Sequence, residues 1–191
     1  MNRGMAKVIS FEERAVAKLR DRLGAAESAN EDLIAFARGH SGVTAAIHSA
    51  VIALMDADSL DSLFDVVSKQ WPTLLGLDHA VLALVVDGKG FRVEASHTGT
   101  VEPRIVDRAI ERLGPVTMRT VACGHPLFGT AAKDIRSEAL IRLEAEAPLP
   151  YGLLLLGQRD AASLDNRHGA QLLGFLGGSL SAMLRRWLMN G

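Results

Sequence analysis

From Val16 onward, positions at alternating intervals of three and four residues carry Val16, Leu19, Leu23, Ala26, Asn30, Leu33, Ala37, His40, Thr44, Ile47, Val51 and Leu54. Nine of these twelve are apolar. A seam kept for about five heptads predicts a coiled-coil helix. Glu12, Glu13, Arg14, Lys18, Arg20, Asp21, Arg22, Glu27, Glu31 and Asp32 lie off the seam and form its solvated face. The helix is expected over residues 11–56, after a frayed stretch at 1–10. Asn30 falls on an a position, where it either pairs with its mate and fixes register or sits on the surface of a thinly packed helix. Gly39-His40-Ser41-Gly42 is the weak point. Each glycine costs ~1 kcal/mol of helix stability relative to alanine, so a break is expected at 39–42. Unbroken, the helix would be about 65 Å long at 1.5 Å per residue. One small domain cannot bury a stripe of that length, so a second copy of the chain is implied.

Residues 57–191 read as a mixed domain. Asp58 or Ser59 caps a helix whose stripe is Leu60, Leu63, Phe64, Val67 and Trp71, and Pro72 and Gly76 are expected to end it. The apolar run His79–Val86, then Asp87-Gly88, then Phe91–Ser96 predicts a hairpin. Glu102-Pro103 opens a middle helix with Ile105, Val106, Ala109, Ile110 and Leu113 as its buried stripe. A short strand at Val116–Val121 and a glycine-bearing loop at Gly124–Gly129 follow. Glu138–Glu146 alternates, burying Ala139, Ile141, Leu143 and Ala145 and exposing Glu138, Arg142, Glu144 and Glu146. Tyr151–Gln158 is apolar on both sides, so it is central and covered twice. A last helix runs from Leu164 to Trp187. Its stripe of Leu173, Leu176, Leu180, Met183 and Trp187, widened by neighbours, is wide enough to serve both the sheet and another helix. The fold class is therefore α+β: about five antiparallel strands, one face under the two terminal helices, the other left for the middle helix, loops and a ligand.

Composition narrows the partners. The 191 residues hold 21 Lys and Arg against 22 Asp and Glu, a net charge of −1. That gives no excess cation to bind a nucleic-acid backbone. The single cysteine rules out an intramolecular disulfide framework and a thiolate zinc cluster, and fits a reducing compartment. No apolar leader and no stretch of ~20 apolar residues is present, so a soluble cytoplasmic protein is expected. The six histidines form no His-x-His or His-Glu-x-x-His pair, no Gly-x-Ser-x-Gly elbow occurs, and the glycine loops lack the phosphate-loop pattern. No metal, cofactor or catalytic residue is assigned.

The element order resembles a GAF domain. Leu127-Phe128-Gly129, the run Ile135–Leu143, Gly152–Gly157 with Asp160, Gly169 with Leu172-Leu173, Phe175-Leu176 and Arg186-Trp187-Leu188 are similar to the bacterial DUF484 family. Members often begin with a further helical segment, most of which this chain is expected to lack, and are often encoded near a tyrosine recombinase. The GAF likeness implies a small-molecule site between the sheet and the middle helix. Its candidates are Leu84, Val86, Phe91, Val93, Phe128, Ile141 and Leu143, with Arg92, Arg119 and His125 as polar groups. These apolar residues can equally fill a closed core. The likeness also implies Cys123 and His125 as a redox, bilin-attaching or haem-ligating pair, although the reductases of this fold use more than one cysteine.

The expected protein is a non-catalytic, homodimeric, GAF-like regulatory or sensory module with a small-molecule ligand and an unknown protein partner. Val16, Leu19, Leu23, Asn30, Leu33, Ile47, Val51, Leu54, Leu180, Met183 and Trp187 would form its dimer contact. The alternatives are an interaction scaffold with a filled pocket and the redox or haem protein at Cys123 and His125.

Overall fold

The computed structural model describes residues 18, 20–24, 27, 42–143 and 151–161, and 167–189, of which 167, 168 and 189 by backbone only. The chain divides into two compact units, Met1–Gly42 and Val43–Gly191. In the first unit the described residues, 18, 20–24, 27 and 42, are helical and exposed, Leu23 included. Val16, Leu19, Asn30, Leu33 and most of the break expected at 39–42 lie outside the described residues.

The second unit starts one residue into helix α1 (residues 42–55), so the division falls ahead of the expected 56/57. The reason is packing. Ile47, Ala50 and Leu54 are buried in the core of the second unit. Trp71, also fully buried, donates its indole N–H to the Ala50 carbonyl at 3.1 Å.

Ser59 caps α2 (Leu60–Asp65), its hydroxyl accepting from the Ser62 N–H at 3.1 Å. The helix continues through a π-helical turn (Val66–Gln70) into α3 (Trp71–Leu75). Pro72 therefore does not end the helix. A proline lacks an N–H and crowds the carbonyl four residues back, and the wider turn just before it absorbs both defects. The stop is Gly76, at φ 64° and ψ 41°, with Leu77 N–H bonding back to the Pro72 carbonyl at 2.7 Å.

Six strands, one more than expected, form a wholly antiparallel sheet in the order β3-β2-β1-β6-β5-β4. They are β1 (His79–Val86), β2 (Lys89–Val93), β3 (Thr98–Val101), β4 (Val116–Thr120), β5 (Ser137–Leu143) and β6 (Tyr151–Gln158). Asp87 and Gly88, both at positive φ, make the two-residue turn between β1 and β2. Helix α4 (Pro103–Arg112) links β3 to β4, and a 3₁₀ segment (Pro126–Asp134) precedes β5 where a glycine loop was expected. Helix α5 (Arg167–Met189) ends the chain.

Side chains alternate across the sheet, so its two faces carry two cores. Ala80, Leu82, Leu84, Val93, Ala139, Ile141, Leu143, Leu154 and Leu156 pack with α1, α2, Trp71 and the Leu176, Leu180 and Leu184 stripe of α5. Val81, Ala83, Val85, Leu140, Leu153 and Leu155 pack with Val106 and Ala109 of α4 and with Leu127, Phe128, Ala132 and Ile135 of the 3₁₀ segment. Helices thus cover one face and the middle elements the other. Among the described residues no helix is long and apolar enough to cross a membrane.

The α4 face and its buried carboxylate

The α4 face is where a ligand was expected, and period-two geometry divides its candidates. Leu84, Val93, Ile141 and Leu143 belong to the opposite core, beneath the terminal helices, and Val86 packs against that core too. Phe91 stands opposite Leu84 in the β1–β2 register and so shares the face of Leu84. These six residues cannot line a pocket under α4. The expectation treated each strand as a whole, whereas only alternate residues reach either side.

Phe128, Arg92, Arg119 and His125 do gather on the α4 side. Phe128 is buried. Its ring lies over Gly157, where a Cβ would sit 3.0 Å from the ring edge and 2.6 Å from Ile135 Cδ1. Glycine at 157 thus makes room for the aromatic ring and Ile135 on the central strand. Arg92 reaches across to the 3₁₀ segment. A Cβ at Gly129 would stand 2.6 Å from its Nη1, and Gly129 takes φ 62°, ψ −130°, a conformation open to glycine. The Arg92 Nη2 also donates to Glu94 Oε1 at 3.3 Å.

The most ordered polar group here is Glu138, which was expected to be exposed. It is 0 % exposed. Arg119 stands opposite it in the β4–β5 register and brings both Nε and Nη2 to Oε1 at 2.7 Å. The His125 backbone N–H donates to Oε2 at 2.7 Å. A buried carboxylate is tolerated only when its charge is matched and its lone pairs are filled, and this arrangement meets both conditions. Gly124 is buried against Ile135, and the loop it belongs to folds over Glu138. An antiparallel pairing of the two sequence runs would have set Arg119 beside Glu138. That register was the signal that the alternation pattern alone did not use.

His125 turns its Nδ1 onto the Leu127 N–H at 3.2 Å and caps the 3₁₀ segment. An acceptor Nδ1 puts the proton of the neutral ring on Nε2. Burial pushes its pKa down from the ordinary value; the Glu138 charge opposes this and the Arg119 charge reinforces it. Cys123, exposed, donates its S–H to the Ala132 carbonyl at 3.4 Å. Chemically this cluster is a lock. Its cation, carboxylate and imidazole acceptor are engaged with each other and with backbone groups, tying β4, β5 and the 3₁₀ segment together.

The residues assigned to a dimer contact are placed as follows. Ile47 and Leu54 of α1, and Leu180 of α5, are spent inside the core of their own chain, and Val51, Met183 and Trp187 are half-buried against it. Their burial corrects the expectation that this part of the seam faces a second copy. The opposite side of α1 instead presents Ala45, His48, Ile52 and Met55 at three-, four- and three-residue steps, all exposed, with Ile52 at 58 % and Met55 at 66 %.

The fold has solved counterparts. The GAF domain of a phosphoenolpyruvate-protein phosphotransferase from Coxiella burnetii is 12 % identical, with a TM-score of 0.55 over 80 % of this chain and 98 % of that one. The GAF domain of a protein described as a sensor histidine kinase, from Pseudomonas syringae pv. tomato, is 15 % identical, with a TM-score of 0.53 over 83 % of this chain and 95 % of its own. The far-red absorbing dark state of JSC1_58120g3 with bound biliverdin IXa is 13 % identical, with a TM-score of 0.53 over 75 % of this chain and 99 % of that one. Comparison with curated proteins gives no match. These likenesses establish a GAF-like α+β fold. The family model described as protein of unknown function, DUF484, matches residues 2–189, and the chain belongs to that family.

Proposed function

We propose that this chain is a non-catalytic, GAF-like regulatory module that acts as a homodimer and works through protein contacts. The observation that carries the reading is the contrast between its two faces. On the α4 side, where a ligand was expected, Phe128 and Ile135 stand over Gly157, and the charge of Arg119 is taken up by Glu138. On the helical side, α1 spends one apolar stripe on its own core and leaves a second at Ala45, Ile52 and Met55 in solvent. An exposed apolar stripe at heptad spacing suits a partner helix, and a second copy of α1 supplies the same stripe by symmetry. Regulation then requires that an effector or partner protein bind two packings of the dimer with different affinity. Cytoplasmic placement is part of this proposal.

Sedimentation velocity of the full chain at micromolar concentration tests the dimer. The wild type should sediment as a dimer and Ile52→Glu as a monomer with unchanged circular dichroism. A wild-type monomer, or an Ile52→Glu variant that remains dimeric, would overturn the α1 contact.

A second reading, a small molecule on the α4 face, draws on Arg92, Phe128 and His125 sharing that side. It draws also on the fold likeness to a domain that holds biliverdin. An absorption band beyond the aromatic region in freshly purified protein would favour it. Loss of that band in Cys123→Ser would bring back the chromophore or redox alternative.

A further inference from the structure

The sheet ends in two edge strands, β3 and β4. Sheet edges are commonly guarded by lysine, proline, a bulge or a covering element, because their free backbone groups invite another strand. Strand β4 reads Val-Thr-Met-Arg-Thr, with no lysine or proline inside it. Its one charge, Arg119, reaches inward to Glu138 on β5. At the two ends of the β4–β5 ladder the Arg142 N–H bonds to the Pro115 carbonyl at 2.9 Å and the Val121 N–H to the Arg136 carbonyl at 2.8 Å. Positions 115, 117, 119 and 121 therefore turn their backbone groups to β5, and the N–H and C=O groups of Val116, Met118 and Thr120 face outward. Among the described residues no strand pairs with them. Helix α5 also leaves this edge open. It presses on β5, where a Cβ at Gly177 would stand 2.5 Å from Ile141 Cγ2, whereas a Cβ at Gly178 would meet nothing within 4 Å. Between α5 and the β4 edge lies a cleft of about 380 Å³, whose walls include Val116 and Ile141 on the sheet and Gly174, Gly178 and Ala182 on the helix.

We propose that β4 takes up an extended segment of a partner protein as an added antiparallel strand, with a leucine- or phenylalanine-sized side chain seated in the α5 cleft. Two independent observations meet at this edge. The outward groups of Val116, Met118 and Thr120 supply a main-chain ladder. The side chains of Val116 and Met118 lie on the α5 side, so the residues of an added strand that stand opposite them project to the same side, where the cleft lies. In this mode of recognition backbone bonds give affinity and the pocket gives specificity. A helix satisfies its own backbone and would leave that of β4 unpaired. Pairing with β4 of a second copy about Met118 would set Thr120 beside Val116, a small polar side chain that leaves the cleft unfilled. The proposal is independent of the α1 contact.

The test titrates the full chain with the synthetic peptide acetyl-Gln-Thr-Leu-Thr-Leu-Thr-Gln-amide and follows backbone amide shifts. Saturable shifts and slowed hydrogen exchange at Val116, Met118 and Thr120 are expected. The same peptide N-methylated at both leucines should not bind, because those N–H groups face β4. The counterpart with alanine for both leucines should bind about tenfold or more weakly, from the lost apolar burial. Met118→Pro removes an N–H that makes no bond within the sheet, so it should keep the wild-type circular dichroism and lose the peptide. Gly178→Leu fills the cleft from open space and should weaken binding about tenfold or more. The proposal fails if the peptide gives no saturable shifts on β4, or if the N-methylated peptide binds like its parent. It fails also if Met118→Pro or Gly178→Leu binds the peptide like the wild type. It fails equally if the same shifts arise without peptide as the chain is concentrated, in which case a second copy pairs with β4.

Discussion

At the scale of single residues, the Arg119–Glu138 pair decides how the α4 side is closed. Arg119 is half-exposed and Glu138 fully buried, so the two ends of the ion pair differ in what their loss costs. Arg119→Ala leaves a buried carboxylate with one backbone donor and should destabilise the fold by about 2–3 kcal/mol, below the ~3–5 of a wholly buried pair because water reaches the arginine side. Denaturant unfolding measures this. Replacing both, as Arg119→Met with Glu138→Leu, should recover most of the loss. His125 gives a second prediction. Its pKa is lowered in the fold, chiefly by burial, so the unfolded chain takes up a proton before the folded one does. The contribution is full above the ordinary histidine value of about 6.5 and is lost as pH falls through the lowered folded value. His125→Asn keeps an acceptor for the Leu127 N–H and removes the titration. Its stability should fall less steeply than that of the wild type between pH 7 and 5, as followed by thermal melts at each pH.

At the scale of elements, the hinge of the account is α1. The heptad seam of the N-terminal third read as one coiled coil, yet Ile47, Ala50 and Leu54 are core residues of the second unit. Heptad periodicity reports an apolar stripe and is silent about which surface covers it. Trp71 reports the difference: it is fully buried and bonded to the Ala50 carbonyl. Trp71→Ala should cost about 3–5 kcal/mol and release α1 first, which amide hydrogen exchange at residues 43–55 would detect as early loss of protection. Other elements were legible because local chemistry fixes them. Asp87-Gly88 specifies its turn, and β6 matches the apolar run Tyr151–Gln158. Strand β3 was missed because Thr98-Gly99-Thr100-Val101 is a short, largely exposed edge strand whose identity comes from pairing with β2. The burial of Glu138 was missed for the same kind of reason: its partners lie on β4 and in the 123–125 loop, neither of them local to it. Six of the ten ligand candidates lie on the face opposite α4 because a list of apolar strand residues does not state parity, while Arg92, Arg119, Phe128 and His125 share the α4 side.

At the scale of the whole molecule, the chain belongs to the DUF484 family and has a GAF-like fold whose α4 side is locked by packing and an ion pair, and whose α1 leaves Ile52 and Met55 exposed. The central proposal drawn from that distribution is a bare homodimer with no tightly held molecule under α4. The most direct measurement is native mass spectrometry of freshly purified full chain beside the same sample denatured. The account predicts the mass of two chains with no discrete small-molecule increment. A single-chain mass would contradict it. So would a discrete added mass that is lost on denaturation, because the account leaves no tightly held molecule under α4.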